Sequence, residues 1–122
     1  MDIQVSSNFE RALFDAYGRD GAVTAQAMAD LKVKGEYTIS QGAYDMLKDT
    51  FNSGRAFEDE TLATIGAQIN ASGELLCPHS AVGVKVAEDF LGATPMITLA
   101  TAHPAKFPDA VEKASGIRPP LP

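Results

Sequence analysis

Thr101, His103 and Lys106 bring a hydroxyl, an imidazole and an ammonium group into one short run, Thr101-Ala102-His103-Pro104-Ala105-Lys106-Phe107. They follow directly on the apolar residues Met96-Ile97-Thr98-Leu99-Ala100. Ile97, Thr98 and Leu99 are β-prone, so residues 95–100 predict a short strand. Pro104 cannot donate a ladder hydrogen bond and drives His103 toward extended backbone, which ends the strand. Polar groups just past the carboxyl end of a buried strand stand where open α/β sheets bind ligands. The plainer reading is that Thr101 and His103 satisfy backbone groups at a turn, and pattern alone favours it.

The other reactive residues are scattered. His79 follows Pro78 at a helix start, where an imidazole usually hydrogen-bonds neighbouring backbone. With Ser80 beside it, that helix N-terminus can also face an anion. Cys77 has no adjacent cation to lower its pKa and reads as a small buried hydrophobe. Glu58, Asp59 and Glu60 form an acidic cluster best explained as the solvated first turn of a helix. Arg11, among carboxylates, reads as a surface ion pair of little energetic weight. One cysteine and two distant histidines make a zinc cage improbable, so no metal is expected. Neither a glycine-rich nucleotide loop nor a Gly-x-Ser-x-Gly elbow occurs. The residues alone supply no complete catalytic set.

The elements that must carry these groups are mostly helical. The 122 residues suffice for one domain, and 45% hydrophobic with 21% charged residues is ordinary for a globular protein. A net charge of −6 with no basic stripe argues against nucleic-acid binding. No apolar run approaches the ~20 residues of a membrane span. The first residues show no secretory signal pattern, and the single cysteine fits a reducing compartment, so a cytoplasmic location is expected.

Periodicity and punctuation predict about six helices. Ser7 and Glu10 suggest a capping box for the first, with Phe9, Leu13 and Tyr17 on its apolar face. Asp20 caps the second, which Gly35 ends. Ser40 caps the third, with Ala43, Tyr44 and Leu47 on one stripe. Asp59 opens the fourth, in which Gly66 marks close packing or nothing special. Pro78 suits the first turn of the fifth, which Gly92 closes. The sixth starts near Phe107 or Pro108 and stops at Gly116. Residues 117–122 form a proline-rich tail. Weak extended segments at 2–5, 37–39 and 55–57 are the available partners for the strand at 95–100. A single strand cannot form a sheet, so either these pair with it or its partners lie outside the chain. Residues 1–122 are read as one domain.

Three segments carry a family resemblance. Met1-Asp2-Ile3-Gln4-Val5-Ser6-Ser7-Asn8-Phe9-Glu10-Arg11 resembles a late segment of the threonine synthase family. Leu75-Leu76-Cys77-Pro78-His79-Ser80-Ala81-Val82-Gly83 resembles another, although the family more often has aspartate at the position of Cys77. The run Thr101 to Phe107 is the third and best match. The three occur in family order and span nearly the whole chain. The resemblance implies the C-terminal portion of a pyridoxal-phosphate lyase of the type II fold, α/β in the parent enzyme. That enzyme converts O-phospho-L-homoserine and water to L-threonine and phosphate. The family's Schiff-base lysine and cofactor-phosphate loop lie in the earlier part. Lys32, Lys34, Lys48, Lys85, Lys106 and Lys113 do not match that lysine, so no catalytic residue is expected here and the chain alone is expected to be inactive. The resemblance assigns Thr101 to the pyridine nitrogen of the cofactor, and His103 and Lys106 to a substrate or phosphate pocket. At Cys77 the departure from aspartate removes a good helix cap. A bare C-terminal piece is expected to self-associate through the strand edge. The alternative is a freestanding, non-catalytic helical interaction module.

Overall fold

The computed structural model describes residues 6–122. These contain six α-helices, a single 3₁₀ turn and no strand. The described residues divide into two compact units, with the boundary between Asn52 and Ser53.

In the first unit, α1 (Ser7–Ala16) packs on both α2 (Gly21–Lys34) and α3 (Gln41–Thr50). Local chemistry sets the starts of these helices. Asp20 Oδ1 accepts from the Ala22 and Val23 N–H groups at 2.9 and 3.1 Å. Ser40 Oγ accepts from Ala43 N at 3.4 Å. For α1 the capping hydroxyl is Ser6, which accepts from Phe9 N, rather than Ser7. Each cap satisfies a donor that has no partner within its own helix. Leu13 is fully buried, and Ala27 and Ala43 are buried. Arg11 hydrogen-bonds Asn8 one turn away.

In the second unit, α4 (Glu58–Ser72) packs on α5 (Pro78–Glu88) and α6 (Pro108–Ser115). Ile65, Ala81 and Val111 are fully buried. Phe57, not Asp59, stands at the α4 N-cap. Glu60 reaches back so that its carboxylate accepts from Phe57 N at 2.8 Å. Gly66 marks close packing: a Cβ there would lie 3.0 Å from the Ala114 carbonyl oxygen of α6. Helix α5 stops at Glu88, short of Gly92, and α6 begins at Pro108 as its proline spacing requires.

The strand expected at residues 95–100 is not there. Residues 91–101 are exposed and irregular, with Ile97 82% and Leu99 73% accessible. The segments at 37–39 and 55–57 form no strand either, and the segment at 2–5 lies outside the described residues. Among the described residues the β-propensity of Ile97 and Thr98 has no ladder to join, and propensity without a partner does not make a strand. No helix among the described residues is long and apolar enough to cross a membrane.

Candidate functional site

The chain turns into α5 through Cys77, whose extended backbone and sulfur together make the N-cap. Cys77 Sγ accepts from Ser80 N at 3.4 Å, so cysteine performs, weakly, the capping that aspartate would do better. Pro78 occupies the first helical position, where a missing N–H is harmless. Ser80, one turn in, is 2% exposed. Its Oγ lies 3.2 Å from Cys77 Sγ and accepts from the backbone N–H of Thr101 at 3.3 Å. The irregular segment before Thr101 is therefore tied to the first turn of α5. A second contact lies one turn further along α5, where a Cβ on Gly83 would sit 3.1 Å from Thr98 Cγ2. The absence of a side chain at Gly83 lets the segment come this close.

Thr101 itself is exposed, and its hydroxyl has no hydrogen-bond partner among the described residues. Its backbone is fixed while its side chain is left free. His103 follows, and its Nδ1 accepts from Ala105 N at 3.2 Å, capping the 3₁₀ turn Pro104–Lys106. In this arrangement the neutral ring carries its proton on Nε2. The turn-satisfying reading thus holds for His103 but not for the Thr101 hydroxyl. Lys106 is exposed at the end of the same turn.

His79 departs from expectation. It finds no backbone partner among the described residues: its ring packs on Phe107 at a centroid distance of 4.9 Å, tilted by 54°. Its Nδ1 is buried without a hydrogen bond among the described residues. The His79–Phe107 contact ties the start of α5 to the residue that precedes α6. Among the described residues no group of three or more His, Cys, Asp or Glu side chains is placed to hold a metal ion. The acidic cluster Glu58-Asp59-Glu60 occupies the first turn of α4, with Glu58 3.8 Å from Lys113 in an exposed pair.

The structure thus brings Cys77, Ser80 and Thr101 together and sets His103 and Lys106 on the next turn. Ser80 and Phe107 are the contributors that the sequence did not reveal. Ser80 read as a neighbour of His79, and nothing local links it to a residue 21 positions away.

Comparison with known proteins finds relatives over the whole chain. Residues 80–122 match the family described as "Threonine synthase, C-terminal". Threonine synthase from Pseudomonas aeruginosa is 44% identical over the whole chain, which covers 27% of that protein. The yeast enzyme from Saccharomyces cerevisiae is 36% identical over 93% of the chain, covering 26% of its own length. A crystal structure of PLP-bound threonine synthase from Brucella melitensis superposes on the whole chain with a TM-score of 0.82 and 54% identity, covering 26% of that protein. The chain spans about a quarter of the length of each of these three relatives. In sequence and in fold alike the whole chain is similar to about a quarter of a longer protein. Those longer proteins are threonine synthases, and the match of residues 80–122 is to the part of that family described as C-terminal.

Proposed function

We propose that the chain serves as the C-terminal region of a cytoplasmic threonine synthase, a pyridoxal-phosphate-dependent lyase that converts O-phospho-L-homoserine and water to L-threonine and phosphate. The correspondence of the whole chain, in sequence and fold, to about a quarter of a PLP-bound threonine synthase carries this reading. A match that runs from end to end favours the enzyme over a freestanding interaction module.

The residues present fit a place beside the cofactor ring. Thr101 presents a free, exposed hydroxyl on a backbone that is already anchored. That hydroxyl is assigned to the pyridine nitrogen. Being neutral, it contacts the nitrogen without forcing its protonation, as a carboxylate would. When bound, pyridoxal phosphate supplies an electron sink for carbanion chemistry, and this contact sets how strong a sink it is. The exposed His103 Nε2–H and Lys106 ammonium are assigned to the anionic phosphate group of substrate or product. Neither provides the Schiff-base lysine, which this reading places in the remainder of the enzyme.

The test exchanges this chain for the corresponding segment of the Brucella melitensis enzyme. The chimera is expected to release phosphate and form threonine from O-phospho-L-homoserine. The isolated chain, given pyridoxal phosphate and the same substrate, is expected to release none. A chimera that folds and binds cofactor yet makes no threonine refutes the assignment. Sustained turnover by the isolated chain refutes the placement of the lysine elsewhere.

A further inference from the structure

We propose that Ser80 is a positioning residue, whose buried hydroxyl fixes the backbone of Thr101 and so sets where the Thr101 hydroxyl meets its ligand. The inference rests on the reading that Thr101 faces the pyridine nitrogen. Residues 91–102 have no regular structure, and 91–101 are exposed. Among the described residues, the bond from Thr101 N to Ser80 Oγ is the one hydrogen bond holding this segment. In a sheet, ladder bonds would fix the residue at a strand end. Among the described residues a side chain on α5 does so.

Ser80 is well built for the purpose. It is 2% exposed, so water does not compete for its oxygen. Besides accepting the Thr101 N–H, Ser80 Oγ lies 3.2 Å from Cys77 Sγ, a hydrogen bond in which either group can donate. Cys77 Sγ also accepts from Ser80 N, which locks the serine side chain over the first turn of α5. The close passage of Thr98 over Gly83 limits motion on the other side. A small error in position weakens a contact on which the cofactor's electronics depend, so Ser80 acts on the reaction through Thr101 without touching the cofactor.

The test is a double-mutant cycle in the full-length holoenzyme, with Ser80→Ala and Thr101→Val made singly and together. The readouts are the visible absorption of bound cofactor, kcat and KM. Ser80→Ala is expected to move the cofactor band in the same direction as Thr101→Val. It should lower kcat about five- to tenfold with KM changed less than about twofold, as loss of one hydrogen bond in the transition state would. Combined with Thr101→Val it should move the band no further, because the two act in series. An unmoved band in Ser80→Ala beside a moved band in Thr101→Val overturns the role of Ser80 and leaves that of Thr101 standing. Additive band shifts overturn it as well. A silent Thr101→Val refutes instead the reading beneath it. If Ser80→Ala folds poorly, Ser80→Cys keeps the side-chain shape while replacing the oxygen by a much weaker acceptor. A shifted band there supports the proposal, and an unmoved one overturns it.

Discussion

Gly66 allows a sharp test of how the second unit is framed. A Cβ at this position would stand 3.0 Å from the Ala114 carbonyl oxygen. Ordinary carbon–oxygen contacts begin near ~3.3 Å, so α6 must withdraw by a few tenths of an ångström. Elsewhere in a helix, Gly→Ala gains about 1 kcal/mol from propensity alone. Forcing an extra carbon into a packed interface costs about 1–3 kcal/mol. At Gly66 the two effects oppose each other, and Gly66→Ala should be neutral to destabilising by about 2 kcal/mol. Gly42, in the first turn of α3, has nothing within 4 Å of its would-be Cβ. Gly42→Ala should therefore stabilise by up to about 1 kcal/mol, and the difference between the two variants isolates the contact. Gly66→Val adds two more carbons and a β-branch, and should cost about 2–4 kcal/mol. Urea denaturation followed by circular dichroism reads all three. If Gly66→Ala stabilises as much as Gly42→Ala, the close approach of α4 and α6 is wrong.

The remaining expectations are briefer. Burial, with a smaller contribution from Tyr17, holds the Tyr37 phenol above its ordinary value of 10.0. The folded chain then binds a proton more tightly than the unfolded one, so Tyr37's contribution is complete below the unfolded value and is lost as pH rises through the folded one. Tyr37→Phe should accordingly resist alkaline unfolding better than the parent chain, and identical alkaline curves would exclude this. Leu91, Ile97 and Leu99 are exposed apolar side chains on one irregular segment. The chain on its own should self-associate through them rather than through a strand edge. Light scattering should show the mass falling to that of one chain in the double variant Ile97→Lys, Leu99→Lys, and a parent already at that mass in concentrated solution contradicts the idea.

What could be read in the sequence was what is local. Asp20 and Ser40 cap their helices because a cap needs only a side-chain oxygen two or three residues before its donor. Pro108 starts α6 because the ring geometry of proline leaves few other choices. Phe57 could not be foreseen as a cap, since its side chain contributes nothing and the Glu60 carboxylate does the work. The segment 95–100 misled because apolar β-prone residues look the same whether or not a neighbouring strand exists. Thr101, His103 and Lys106 were singled out by type and order, but what holds Thr101 was not. Its tie to Ser80 spans 21 positions and leaves no periodic trace. His79 was expected to find a backbone partner, and only the fold shows its ring against Phe107.

The central claim is that the Thr101 hydroxyl meets the pyridine nitrogen of bound pyridoxal phosphate. The most direct measurement is the nuclear magnetic resonance of an isotope-labelled pyridine nitrogen in the full-length holoenzyme. The nitrogen should appear unprotonated and hydrogen-bonded. Its resonance should move in Thr101→Val, where the hydroxyl is replaced by a methyl group of similar size, and stay in place in Thr101→Ser. A resonance that Thr101→Val leaves unmoved, or one that reports a protonated ring nitrogen in the parent enzyme, contradicts the claim.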